Sequence, residues 1–127
     1  MLVQKIQGLQ QHLIDAANKV YAELGAGYEE SVYEEAMAVE LRSRKIDYEV
    51  QHNVEIFYQG FKVGLNRLDF IVEKQLVVEL KAQQMITKSH DAQTRAYLKT
   101  LGLKDALIIN FPYPETKEPQ INAIKIG

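Results

Sequence analysis

Between Arg67 and Lys81 the chain carries an acid, a second acid and a lysine in the spacing D-x9-E-x-K, formed by Asp69, Glu79 and Lys81. Carboxylate oxygens are hard donors. A pair of them suits a divalent cation such as Mg2+, with phosphate and water completing its shell. A lysine beside the pair can orient or polarise an attacking water. The same residues admit another reading, an exposed hairpin face held by crossed ion pairs of Asp69 with Lys81 and of Glu79 with Arg67. The choice depends on the elements that carry them.

Leu68, Phe70, Val72, Leu76, Val78 and Leu80 fall on alternate positions and are all apolar, which predicts one face of a sheet, with Arg67, Asp69, Glu79 and Lys81 on the other. A turn centred on Lys74 closes the segment as a hairpin and sets Asp69 opposite Glu79 and Arg67 opposite Lys81. Directly opposed residues have Cβ atoms ~5 Å apart, and like charges at that distance destabilise a sheet. A cation between the two carboxylates removes the cost.

The remaining elements follow from periodicity. Leu9, Leu13, Ala16, Val20 and Leu24 predict an amphipathic helix over the first two dozen residues, stopped by Gly25-Ala26-Gly27. A second helix is expected from Glu30 to Arg44, with Tyr33, Ala36, Met37 and Leu41 facing inward. The period then changes to two at Tyr48, Val50, His52, Val54, Ile56 and Tyr58, turns at Gln59-Gly60 and resumes at Phe61, Val63 and Leu65. Ser89 is the expected N-cap of a helix ending at Leu101, with Gly102 just past it. Ala106 to Phe111 reads as a central strand and Gln120 to Ile126 as an edge strand. The expected class is α+β: a mixed sheet flanked by helices, in one domain spanning 1–127.

Composition narrows the function. The 127 residues include no cysteine, which excludes disulfides, thiolate zinc sites and cysteine nucleophiles and makes the cytoplasm the expected compartment. The opening residues read as neither a signal peptide nor a membrane anchor, since no apolar run exceeds about four residues against the ~20 a membrane helix needs. No Gly-rich phosphate loop occurs, and His12, His52 and His90 lack metal-ligand spacing. Net charge is −2, but unevenly spread. Tyr28 to Glu49 holds seven acids against three bases, while Lys81 to Lys104 holds five bases against Asp91 alone. Such a pairing suits a site that takes cations and polyanions together, although two solvated helix faces of opposite sign would look the same.

Gly27-x-x-Glu30-x-x-Tyr33, Asp69, Glu79-x-Lys81 and Gln93-x3-Tyr97, in that order, resemble the GxxExxY family of the PD-(D/E)XK nuclease superfamily. The resemblance covers most of the chain, from about Gly27 to Phe111. It implies a restriction-endonuclease-like core of helix-strand-strand-strand-helix-strand, here preceded by an extra N-terminal helix. It also implies that Asp69 and Glu79 hold a divalent metal with Glu30 as the helix-borne acid, and that Lys81 is the catalytic lysine. Gln93 and Tyr97 match the Gln-x3-Tyr motif of the exonuclease-like branch. Leu68 stands where the superfamily's name has proline.

Spacing alone puts Gln93 with Tyr97, and Arg95 with Lys99, on shared helix faces that could meet a phosphate backbone. The expected function is a Mg2+-dependent nuclease, with Mn2+ as a substitute, acting on nucleic acid and on DNA first. Asp69, Glu79, Glu30 and the Leu80 carbonyl would be its metal ligands. The alternative is a non-catalytic module on the same fold that binds nucleic acid or protein. An acid-pair glycosidase would leave Lys81 and the basic helix unused. So small a domain has little surface with which to wrap a duplex, so a homodimer or a partner protein is a further expectation.

Overall fold

The computed structural model describes residues 6–127, and of residues 51 and 52 the main chain alone. Helices α1 (Ile6–Leu24) and α2 (Glu30–Ser43) come first, then strands β1 (Tyr48–Tyr58), β2 (Phe61–Val72) and β3 (Leu76–Lys81), helix α3 (Lys88–Leu101), and strands β4 (Asp105–Asn110) and β5 (Gln120–Lys125). The share of the first-helix expectation that falls on residues 1–5 lies outside the described residues. The strands form one sheet in the order β1-β2-β3-β4-β5. β1 to β3 make an antiparallel meander, α3 crosses over to bring β4 parallel to β3, and β5 returns antiparallel to β4. The α+β class and the restriction-endonuclease-like order are thus present, with α1 in front and β5 behind.

Apolar burial divides between the two faces. Leu9, Leu13, Ala16 and Val20 of α1 and Tyr33, Met37 and Leu41 of α2 pack on Phe70, Val72, Leu76, Val78, Leu80, Leu107 and Ile109. On the other face Tyr97 and Leu98 of α3 pack on Ile71, Val77, Ala106, Ile108 and Ile124. Two expectations change here. Leu24 is exposed at the end of α1. Leu68 joins the α3 cluster with Val54, not the cluster that holds Phe70. Strict alternation breaks between Leu68 and Phe70, so that Leu68 is buried under α3 and Phe70 under α1 and α2.

Turn chemistry sets the register. Gln59 and Gly60 both have positive φ, as a two-residue hairpin turn of matching twist requires. Glu73 and Lys74 do the same between β2 and β3, although neither is glycine or asparagine. Their turn is held from outside. Asp47 N–H donates to Glu73 Oε2 at 2.7 Å, and Glu73 N–H donates to the Asp47 carbonyl at 2.9 Å.

Helix ends also depart from expectation. α2 stops at Ser43, where Lys45 turns left-handed and Ile46 N–H reaches the Leu41 carbonyl at 3.0 Å. The N-cap of α3 is Thr87, not Ser89. Thr87 Oγ1 accepts from His90 N–H at 3.2 Å, and His90 Nδ1 accepts from Thr87 N–H at 3.1 Å, so an imidazole fills the role usually taken by glutamate in a capping box.

Candidate metal and nucleic-acid site

The β2–β3 ladder pairs Phe70 with Val78, Ile71 with Val77 and Val72 with Leu76, the register expected from a turn centred on Lys74. One step further, side chains take over from the ladder. Asp69 N–H donates to Glu79 Oε1 at 3.1 Å, and Leu80 N–H donates to Asp69 Oδ2 at 2.7 Å. Each acid therefore grips the other strand's main chain. Glu79 is only 5% exposed, because β3 runs between β2 and β4.

Helix α2 brings the other acids. Tyr33 stacks on Phe111 with ring centroids 4.3 Å apart, and its hydroxyl donates to the Gly25 carbonyl at 2.7 Å. That anchor fixes the first turns of α2 beside the ends of β3 and β4, while Gly27 takes the positive φ needed to enter the helix. Glu30 consequently lies in the fields of Lys81 and Asp69, and Glu34 shares a hydrogen bond with Asp69.

Glu34 is a member of the cluster that sequence reasoning missed. The available signal was its place one turn after Glu30, on the same helix face.

Crowding raises proton affinity. Burial first, then the Asp69 charge, push Glu79 up to about 8, against the pull of the Asp69 main-chain bond and of Lys81. Burial, the bond to Asp69 and the Asp69 and Glu30 charges push Glu34 up to about 7. Burial also raises Glu30, with Lys81 opposing. Metal and proton compete for the same lone pairs, so carboxylates that hold protons near neutrality are the donor set a hard cation would relieve. Among the described residues, however, no three His, Asp or Glu side chains converge as they stand on a common point. Asp69 Oδ2 and Glu79 Oε1 are turned onto main-chain N–H groups instead. In donor chemistry the residues fit such a cation.

Lys81 ends β3 half-buried beside this cluster, and among the described residues it forms no ion pair, so the crossed Asp69–Lys81 bridge is not made. The chain beyond it is pinned by Asn110. That fully buried side chain accepts from Gln83 N–H and donates to the Gln83 carbonyl, both at 2.9 Å. Leu80 is fully buried, and its N–H is committed to Asp69.

Helix α3 lies on the opposite flank. Tyr97 is 4% exposed, and burial together with the Glu79 and Asp69 charges raises its phenol. Gln93, one turn earlier on the same helix, is exposed. Arg95 and Lys99 are exposed too, but Arg95 Nε is drawn to Asp91 Oδ1 at 2.6 Å. Burial, and after it the Lys81 charge, lowers the proton affinity of His90.

Known proteins share the fold in part. The crystal structure of SSO0001 superposes with a TM-score of 0.56 at 17% identity, over 75% of this chain and 48% of SSO0001, so the chain spans about half of that protein's length. The alkaline exonuclease LHK-Exo from Laribacter hongkongensis gives a TM-score of 0.43 at 7% identity, over 99% of this chain and 73% of the exonuclease. No curated protein matches the sequence. Residues 7–124, nearly the whole chain, match the family model described as PD-(D/E)XK nuclease superfamily, and the chain belongs to that superfamily.

Proposed function

We propose that the chain is a metal-dependent nuclease, of the GxxExxY kind, that hydrolyses phosphodiester bonds in DNA. The observation that carries this reading is the exchange between Asp69 and Glu79, which holds two acids at the open end of the β2–β3 ladder with Lys81 two residues on. Nothing in a merely structural hairpin calls for a buried acid, a second acid gripping its strand and a half-buried lysine at one place in a sheet. Asp69, Glu79, Glu30 and the Leu80 carbonyl are the groups to hold Mg2+ or Mn2+, with Glu34 beside them. A divalent cation there supplies Lewis-acid stabilisation of charge developing on the phosphoryl group.

The chain's own residues do the rest. Lys81 orients the attacking water and offsets phosphate charge. Glu34, beside the ligands and with a raised proton affinity, is the carboxyl that can hold or release a proton close to the reacting phosphate. In this reading Gln93, Arg95 and Lys99, exposed on α3, meet the phosphate backbone, and Tyr97 faces the acids from behind them. The test is a cleavage assay with purified protein on single-stranded, duplex and branched DNA and on RNA, each with Mg2+, Mn2+ or chelator. Metal-dependent cleavage of DNA supports the reading. Binding without cleavage under every metal condition would leave the non-catalytic module in its place.

A further inference from the structure

Lys81 is the last residue of β3, and the chain then runs through residues 82–87, which belong to no helix or strand, before α3 begins. A strand end of this kind opens locally unless its main-chain groups are held, and a side chain on a frayed end has no fixed direction. This end is held on both sides of the lysine. Leu80 N–H donates to Asp69 Oδ2 at 2.7 Å, and the Lys81 carbonyl accepts from Phe111 N–H at 2.8 Å. The Ala82 main chain hydrogen bonds the Glu30 carboxylate. Gln83 is then gripped twice by Asn110: its N–H donates to Oδ1 and its carbonyl accepts from Nδ2, both at 2.9 Å. Tyr113 N–H adds a longer bond to the same carbonyl, at 3.4 Å.

We infer that Asn110 is a positioning residue for Lys81, an inference that rests on the nuclease reading above. Asp69 and Glu30 are the groups assigned to the cation, and the Phe111 bond is an ordinary continuation of the β3–β4 ladder. Asn110 is a support that serves neither purpose. It stands beside Lys81 in the register of the parallel pair. Asparagine is depleted in strands, and a fully buried amide is costly unless both its ends are bonded. Here both are, and Nδ2 also reaches Oε1 of Gln120, its cross-strand partner, at 3.3 Å. That same Oε1 accepts from Ile86 N–H at 2.8 Å, one residue before the Thr87 N-cap of α3. Two side-chain amides thus hold the two ends of the connection. One fixes the exit from the lysine, and the other fixes the entry to the helix that carries Gln93 and Tyr97.

The experiment compares Asn110→Ala in the full chain with Ile108→Ala, which also empties a buried position on the α3 side of β4 but bonds nothing in the connection. Amide hydrogen exchange in chelator is expected to quicken at residues 82–87 in Asn110→Ala, while the buried strands keep their protection. Single-turnover cleavage of DNA with saturating Mn2+, well below each melting temperature, is expected to fall by about 10²-fold, as a misplacement near 1 Å does. Affinities for Mn2+ and for the oligonucleotide are retained, and Ile108→Ala keeps the wild-type rate. Added to Lys81→Ala, the Asn110 substitution removes little further rate, because it acts through the lysine. If Asn110→Ala does not fold, Gln120→Ala on the exposed edge is expected to show the same pattern more weakly. Unchanged exchange at residues 82–87 overturns the inference, as does a rate loss that Ile108→Ala shares or that adds in full to the loss from Lys81→Ala. A wild type that cleaves no nucleic acid overturns the nuclease reading and this inference with it, whereas an active wild type and an equally active Asn110→Ala overturn the inference alone.

Discussion

Asp69 and Glu79 hold each other's strands by side chain rather than by main-chain pairing: Asp69 N–H binds Glu79 Oε1 at 3.1 Å, and Asp69 Oδ2 binds the N–H that follows Glu79 at 2.7 Å. Two acids thereby replace one rung of an antiparallel ladder. They open the strand ends without leaving the buried N–H groups unpaired, and they concentrate negative charge where β2, β3 and α2 meet.

Neutralising one acid separates the metal role from the structural one. In Asp69→Asn the side-chain amide oxygen still accepts from Leu80 N–H, while the lost charge relieves repulsion of Glu79 and Glu34. In chelator near pH 8 the variant is expected to melt at or above the wild-type temperature, by up to a few degrees for ~1 kcal/mol. Addition of Mn2+ is expected to raise the melting temperature of the wild type alone. Calorimetric melts with and without metal check both.

Protonation of the same cluster makes metal-free stability depend on pH. Glu79 and Glu34 are raised in the folded chain, to about 8 and about 7, so the native state binds more protons than the unfolded state between the ordinary glutamate range and those values. Their contribution is full below about pH 4.5 and falls as pH rises from there, until it is gone above about 7 for Glu34 and about 8 for Glu79. Urea midpoints in chelator from pH 5 to 9 are expected to fall by an amount worth on the order of 2 kcal/mol, and Glu79→Gln to flatten the curve.

Much of this geometry is legible in the residues themselves. The 69/79 opposition follows from apolar alternation on both sides of Glu73-Lys74, and Gln59-Gly60 marks its own turn. Leu68 misleads because a period of two carries no sign of a break in alternation, and a leucine is equally at home under α3 or under α1 and α2. Glu34 is hidden among solvated helix charges until Tyr33 stacks on Phe111 and aims α2. Thr87 escapes as a cap because its reciprocal partner is His90, outside the usual capping-box pattern.

Tyr97 tests packing against chemistry. Its ring lies in the α3 cluster, so Tyr97→Ala is expected to cost roughly 3 kcal/mol or more, whereas Tyr97→Phe keeps the ring and stays within ~1 kcal/mol. Denaturant melts give the stability difference. A cleavage rate that drops in Tyr97→Phe at unchanged stability would assign the hydroxyl to the reaction.

The exposed face of α3 is expected to meet phosphate through Arg95 and Lys99. Replacing both with alanine flattens the salt dependence of binding by up to ~0.9 log unit per lost contact on duplex, or ~0.7 on single strands. The fold is expected to be nearly unaffected, since the Arg95–Asp91 pair is exposed and such pairs are worth ~0.5 kcal/mol. Fluorescence anisotropy across a salt series measures the slope.

The most direct test concerns Lys81, which touches no ion-pair partner among the described residues and so has no structural bridge to lose. Single-turnover cleavage of labelled DNA by the wild type and by Lys81→Ala, both saturated with Mn2+ and with metal affinity measured in parallel, isolates its part in the reaction. The expected result is a rate lower by about 10²–10⁴-fold with metal affinity retained. Equal rates in the two proteins would contradict the assignment of hydrolysis to the Asp69–Glu79–Lys81 site.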